Sequence, residues 1–419
     1  MKTQNSKLKI KKPITDEIAT IGNDITRYYI GKVQINPDKV LSSEATGEGL
    51  QLYEDIERDA HLYSVMQTRK LSVVGKEWSI EPASDDARDI EIAEFVEQNF
   101  KEINFDRACE ELLDGLLKGF KPSEIMWDYS EGQIQIKEFR GRDPRRFTFG
   151  LENDLRLLTW ADMIYGEEIP DRKFQLFRFG SKNNNPFGTG LGQKCYWPVW
   201  FKKNGIKFWM IFSEKFGMPT IVGKYPSGTE KDKQDNLLDA CKAIQTDTAI
   251  KIPENMEIAL LEATRATSIN TYETLCTFMD LQISKAVLGQ TLTTEIGDKG
   301  SYAASQTHEE VRQDILKSDS DSLCEYLNNQ SIKWLVDYNF PDIKKYPKIW
   351  KRTEPEKDLK PLAERDVILI RDLKLPTATK YLYDTYGIPA PEEGEELITI
   401  PQSSGFPPLG FSEKTGGRG

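Results

Sequence analysis

The chain has 419 residues, 38% hydrophobic and 29% charged, with 56 Lys+Arg against 67 Asp+Glu, a formal net charge of −11 and a pI near 5.1. That apolar share can bury a core, and the length predicts two or three units at roughly 100–200 residues each. The acidic balance excludes a protein that coats nucleic acid by neutralising its phosphates, although a duplex can still pass close by.

The opening MKTQNSKLKIKK has five lysines and no apolar region behind it. It does not read as a secretory leader. Residues 1–50 form an N-terminal arm that is either solvated or in contact with nucleic acid or a neighbouring subunit. From Glu54 to Val74 a single helix is expected, with Ile56, Ala60, Tyr63, Met66 and Val73 at helical spacing and Gly75 as its stop. KEWSIEPA then alternates as a strand. A second helix covers Arg88 to Phe100. A third follows Asn104, with Phe105, Ala108, Leu112, Leu113, Leu116 and Leu117 as its apolar stripe. SEIMWDY and QIQIKEF form a hairpin across Ser130-Glu131-Gly132, and RRFTFG and FQLFRFG add strand-like alternation. This first part is a mixed α+β unit with antiparallel pairing.

The stretch FGTGLGQKCYWPVWFKKNGIKFWMIFSEKFGMP, Phe187 to Pro219, has three glycines spaced somewhat like a phosphate cradle. Gly188, Gly190 and Gly192 fall one residue short of G-x-G-x-x-G. Gln193 and Cys195 break the G-K-[ST] of a P-loop. Nor does the apolar run cross a membrane, because Lys202, Lys203, Asn204 and Lys207 interrupt its middle. What remains is a helix from about Gln193 to Phe216, roughly 36 Å long at 1.5 Å per residue. Gly217 and Pro219 end it. Its aromatics need cover, either inside one subunit or between subunits.

Next comes a small α/β insert, about Met218 to Thr264, with strands at PTIVGKYP, TAIKIP and EIALLEA and a helix from Asp232 to Gln245. A second long helix runs from Ser268, its expected N-cap, to Leu288, with Ile269, Tyr272, Cys276, Met279, Ile283 and Val287 as its stripe. GQTLTTEIGDKGSYAAS reads as a loop. A long polar helix follows, Ser301 to Tyr338, with a kink expected at the weakly helical KSDSDS. The strand YPKIWKRT and the helix LKPLAERDVILIRDL close the fold. From Pro389 the chain is rich in Pro, Gly, Ser and Glu and is expected to be largely disordered or partner-dependent.

Little of the chemistry of an enzyme is present. The cysteines Cys109, Cys195, Cys241, Cys276 and Cys324 are scattered, with no Cys-x-x-Cys, and read as core residues of a reducing compartment. There are two histidines. His308 begins an H-E-x-x-H whose second position is Arg312, and His61 reads as a packing or capping residue. There is no G-x-S-x-G. No catalytic, metal-binding or cofactor-binding residue is assigned.

The order helix, small insert, helix, glycine-threonine loop, long polar helix resembles the portal proteins of tailed bacteriophages. DAHLYSVMQTRKLSVVGKEWSIEPA, GFKPSEIMWDY, EKFGMPTIVGKYP, ISKAVLGQTLTT with GSYAASQTHEEVRQDI, and PLAERDVILIRDLKLP before YGIPAPEEGEE are similar, in this order, to blocks of the Mu-like portal family. The resemblance spans about Leu52 to Leu397. It implies an α+β portal-protein fold: a wing at 51–190, stem helices at 191–217 and 265–288, and a clip insert at 218–264. A tunnel loop at 289–301, a kinked helix with a return to the wing at 302–357, and crown-side helices at 358–404 follow, with a flexible tail at 405–419 left unmatched.

The resemblance further implies a homo-oligomeric ring of about twelve subunits at one capsid vertex of the virion, assembled in the host cytoplasm, with no membrane involved. Double-stranded DNA passes through the ring without sequence preference. The expected partners are the terminase large subunit, the major capsid protein and head–tail connector or adaptor proteins. The tunnel loop would present Gln290, Thr291, Thr293, Thr294, Glu295, Asp298, Lys299 and Ser301 to the DNA. Lys202, Lys203 and Lys207 would form a positive belt on the first stem helix or pair with neighbouring subunits. Trp200, Phe208, Trp209 and Phe212 would pack across subunits. Two other readings stay open: a different head–tail junction ring or adaptor, and a DNA-packaging enzyme.

Overall fold

The computed structural model describes residues 17–391 except 19, 22–23, 46, 131, 218–219, 244–256, 262–265, 291–301 and 355–358. The chain divides into two compact units, residues 1–353 and 354–419.

The first unit is built on a three-stranded antiparallel sheet. Phe120–Ser130 lies between Gln133–Gly141 and Phe174–Arg178, with a bulge between Met126 and Trp127. A second, two-stranded sheet pairs Trp78–Glu81 with Lys348–Lys351, so the late chain returns to the early one. The stripe Phe105, Ala108, Leu112, Leu113, Leu116 and Leu117 is buried, as its spacing predicts. The aromatic core is held edge to face, Trp78 on Phe105 at 5.3 Å and Phe120 on Phe149 at 5.2 Å between ring centroids.

Four carboxamides tie helices to strand edges. An edge strand leaves every second residue's N–H and C=O unpaired. The side chain of Asn99 meets both backbone groups of Ile136, and that of Asn339 meets both of Ile134. Gln330 does the same for Leu176, and Asn328 for Ile349. Each amide acts as a one-residue strand, satisfying a donor and an acceptor that burial would otherwise strand.

Several expectations need correction. The helix expected over 54–74 is two, Gln51–Glu57 and Ala60–Val74. Asp59 divides them by accepting hydrogen bonds from the N–H groups of His61 and Leu62, which makes it an N-cap. The third helix likewise splits into Phe105–Leu112 and Gly115–Lys118. The second long helix begins at Ala266, so Ser268 lies in its first turn and is not the N-cap.

The kink expected at KSDSDS is absent. An α-helix runs from Tyr302 to Leu327, straight through that stretch, and the irregularity is a π-helical turn at Asn328–Ile332 before the helix resumes at Lys333–Asn339. Packing overrides propensity here: Asp319 and Ser320 are buried in the core, whereas the wider turn is the place where Asn328 and Gln330 reach their two strands. The strand expected at TAIKIP, the loop residues 291–301 and the tail from 392 lie outside the described residues.

The second unit contains helix Leu359–Val367 running into a π-helical turn at Ile368–Asp372, then helix Thr379–Tyr386 closed by Gly387 in the left-handed region (φ 64°). Asp366 is buried between them and accepts hydrogen bonds from Tyr386 Oη (2.9 Å), Tyr381 Oη (3.3 Å) and Arg365 Nη2 (2.9 Å).

Candidate functional site

The glycines of the GTGLG stretch make no cradle. A Cβ on Gly188 would strike the carbonyl of Gly119, one on Gly190 that of Leu117, and one on Gly192 the ring of Tyr53. The three residues are small because backbone and ring pass against them, and they lead directly into the first long helix, Gly192–Gly217. Pro198 sits inside that helix and removes one N–H from its ladder.

This helix and Ala266–Leu288 are antiparallel partners. Lys202 meets Asp280, Gly205 faces Leu275, and the rings of Phe212 and Tyr272 lie 5.9 Å apart. Gly205 permits the close approach, since a Cβ there would lie 3.2 Å from Leu275 Cδ2. At the far end of the pair sits the insert. Its strands Thr220–Lys224 and Glu257–Leu261 pair antiparallel along their whole length, and helix Lys231–Ala243 buries Leu237.

The first long helix has three distinct faces at about 100° per residue. Cys195, Val199, Lys202 and Gly205 turn inward. Trp197, Trp200, Phe201, Phe208 and Ile211 form an exposed aromatic stripe, with Phe208 57% exposed and the Trp200 and Phe201 rings 5.2 Å apart. Lys203, Lys207, Met210 and Glu214 form a third, also exposed. Of the residues expected to pack across subunits, Trp200 and Phe208 stand on the open stripe. Trp209 is half-buried, and Phe212 packs at a tilt against its own chain's Tyr272.

Lys202 does not belong with the other lysines. Its ammonium lies 2.7 Å from Asp280 and 2.9 Å from Asp59, and its side chain is 12% exposed. Burial alone would lower its pKa, but the hydrogen bonds to Asp280 and Asp59 raise it above the usual lysine range. It is a tie between three helices, and a positive belt drawn from this helix keeps Lys203 and Lys207. Lys202→Met therefore costs about 2–3 kcal/mol of stability, because two carboxylates lose their cation. Thermal unfolding checks this; a melting temperature equal to the parent's would return Lys202 to the surface.

Of the expected loop residues, Gln290 alone is described. It is 3% exposed, and neither polar atom of its carboxamide has a partner among the described residues. Thr291, Thr293, Thr294, Glu295, Asp298, Lys299 and Ser301 lie outside them. The flanks of this segment are anchored by Arg69, which the sequence did not single out, and by Gly289 and His61, the latter in the packing role expected of it. Arg69 donates to both oxygens of Asp319 (2.6 and 2.9 Å) and to the carbonyl of Val287 (2.5 Å). Gly289, in the left-handed region at φ 69°, packs against Ile315 and Val311. His61 Nε2 lies 2.7 Å from Ser284 Oγ. Helix Ala60–Val74 thus fastens the chain before the loop and the helix after it.

A signal for Arg69 was present: it falls between Met66 and Val73 on an apolar stripe, as Asp319 does between Ile315 and Leu323. Arg69→Met leaves Asp319, 2% exposed, without a counter-charge and is expected to cost about 3–5 kcal/mol. The double change Arg69→Met, Asp319→Leu recovers most of that loss in the same denaturation measurement. No recovery would mean that Arg69 acts mainly through the Val287 carbonyl.

Other chemistry is sparse among the described residues. No His, Cys, Asp and Glu group there is arranged to hold a metal ion, and no helix is long and apolar enough to cross a membrane. Burial pushes the thiols of Cys109 and Cys195 up to about 12, which keeps them protonated and unreactive.

The architecture is that of the phage portal-protein fold. Two solved structures share it: a chain of the virion of a native gene transfer agent particle (TM-score 0.55, 9% identity, covering 81% of this chain and 93% of that one) and a chain of the neck of the empty particle (TM-score 0.56, 11% identity, 80% and 94%). In sequence, the portal protein of Escherichia phage Mu is 29% identical over 351 residues, covering 82% of this chain and 68% of the relative. The Mu-like prophage FluMu protein gp29 of Haemophilus influenzae is 27% identical over 362 residues, covering 83% and 68%. The model of the portal protein of Mu bacteriophage matches residues 50–388, and the chain belongs to that family of phage portal proteins.

Proposed function

We propose that the chain closes into a homo-oligomeric ring at one vertex of the capsid, and that double-stranded DNA enters and leaves the head through its centre. The observation that carries this is the aromatic stripe of the first long helix, which stays exposed among the described residues. Apolar area of this size in a charged chain is stabilised by a neighbour, and identical neighbours about an axis cover every copy. The solved structures that share the fold include necks reconstructed with C12 and with C6 symmetry, which supports a ring of about twelve subunits. The two antiparallel helices form the stem, and the insert at their end forms the clip that meets the terminase large subunit and later the head–tail connectors. The loop at 289–301 faces the bore, the first unit's sheets make most of the wing against the major capsid protein, and the second unit lies on the crown side.

The electrostatics suit a conduit. Every phosphate neutralised adds salt-dependent affinity, which would hold a moving duplex. A net charge of −11 per chain repels it, with Lys203 and Lys207 as local exceptions on the stem. The role is structural rather than enzymatic. Complementation tests it: heads assembled without this chain are expected to stay empty and to fill when it is supplied. DNA-filled heads in its absence would remove the conduit reading, and steady ATP hydrolysis by the purified chain alone would favour a packaging enzyme instead.

A further inference from the structure

In the first unit, four lysines line one concavity of about 500 Å³: Lys333, Lys344, Lys345 and Lys348. All four side chains are exposed, and none has a carboxylate within ion-pair distance among the described residues. The carboxylate in the lining is Glu81, which stands opposite Lys348 across the Trp78–Glu81 and Lys348–Lys351 strand pair. The nearby Asp337 is occupied, accepting from Tyr346 Oη at 2.7 Å and pairing with Arg172 at 3.3 Å; Asp342 is exposed in the turn before Lys344.

The floor is fixed. Tyr346 is held by Asp337 at its hydroxyl, and Lys333 Nζ sits 5.6 Å from its ring centroid. Trp350 is exposed two residues beyond Lys348, on the same side of the strand. A chain carrying eleven more negative than positive charges has thus gathered four cations and two aromatics in one place, in a different part of the fold from the stem helices.

We propose that this groove binds the phosphodiester backbone of double-stranded DNA, independently of the bore. Lysine suits this ligand, because its compact ammonium is a point charge that meets phosphate oxygens from many directions. The duplex itself comes from the conduit reading, on which this proposal rests. The site carries no base-reading geometry, so binding is independent of sequence. Three to four phosphates are engaged per chain, each contributing about −0.9 to the slope of log K against log salt. The groove and the repelling bore divide the labour: the wing retains DNA lying against it while the strand in the channel slides.

The test is fluorescence anisotropy of a short labelled duplex titrated with the full-length assembled chain, from about 50 to 200 mM salt. Three proteins are compared: the parent, Lys344→Glu/Lys345→Glu/Lys348→Glu, and the stem variant Lys203→Glu/Lys207→Glu. The groove variant is expected to lose at least about tenfold in affinity and to show a salt slope shallower by about 2–3, with the stem variant near the parent. Loss in the stem variant with no change in the groove variant would overturn the proposal and place the binding in the channel. Binding of a poly-glutamate peptide that the groove substitutions abolish, with no duplex binding, would assign the groove to an acidic protein partner and overturn it too. Should the reversed charges disturb folding, the neutral Lys344→Gln/Lys345→Gln/Lys348→Gln chain gives a smaller loss in the same direction, or none if the proposal is wrong. Each arm reads the groove alone, so failure here leaves the ring and its conduit role to be judged by complementation.

Discussion

Asp114→Asn lowers the stability of the folded chain by about 3–5 kcal/mol, one of the largest effects expected of any single substitution in it. The Asp114 carboxylate is 14% exposed and collects three ammonium groups, Lys118 at 2.7 Å, Lys121 at 3.2 Å and Lys70 at 3.4 Å. Lys118 also reaches Glu54 at 3.0 Å and Lys70 reaches Glu57 at 3.4 Å, so helices Gln51–Glu57 and Ala60–Val74 and the start of strand Phe120–Ser130 are pinned at one point. The amide keeps the shape but removes the charge, which leaves three crowded cations with little water. Urea unfolding followed by circular dichroism measures the loss; a change under about 1 kcal/mol would mean that solvent already screens the cluster.

The same group sets a pH dependence. Burial alone would raise the Asp114 pKa, but Lys121, Lys118 and Lys70 outweigh it and hold the carboxyl well below the usual range. The folded chain therefore takes up this proton less readily than the unfolded one. The stabilisation is complete above the unfolded value, about 3.9, and is lost as pH falls below it towards the native value. Parent and Asp114→Asn stabilities are expected to converge through that acid window. Curves that stay parallel would contradict the assignment.

The second large effect is on assembly. Trp200→Ser/Phe208→Ser is expected to leave the subunit folded, since both side chains are already exposed, and to abolish ring formation. Covering the exposed part of each aromatic stabilises an interface by about 2 kcal/mol at roughly 25 cal/mol per Å². Two per interface give about 4 kcal/mol, or nearly a thousandfold in subunit affinity, repeated at every junction of a closed ring. Sedimentation velocity resolves the outcome as monomers with a native melting curve. Rings of undiminished stability would mean that the stripe faces solvent or capsid, and that other surfaces hold the subunits together.

Much of the architecture was legible because it rests on periodicity. The stripe from Phe105 to Leu117, the hairpin around Gly132 and the two long helices with the insert between them follow from spacing and turn chemistry. Local propensity misled wherever a tertiary partner decided the issue. KSDSDS stays helical because Asp319 answers Arg69, 250 residues away in the chain, and no local rule anticipates that. The break at Asp59 was readable as an N-cap before an apolar run, but the stripe continues across it in near-register and hides it. The lysines of the first long helix look alike in sequence; only the fold separates Lys202, tied down by Asp59 and Asp280, from Lys203 and Lys207. Carboxamides such as Gln330 and Asn339 gave no signal, because their partners are strand edges far away in the chain.

Copies of this chain are expected to surround a hole wide enough for a duplex. Single-particle electron microscopy of the purified, concentrated protein tests it most directly. Closed rings with an axial opening are expected, with the two long helices standing around it and the insert at one end. Solitary particles without a perforation, at every concentration and in the presence of capsid protein, would contradict it.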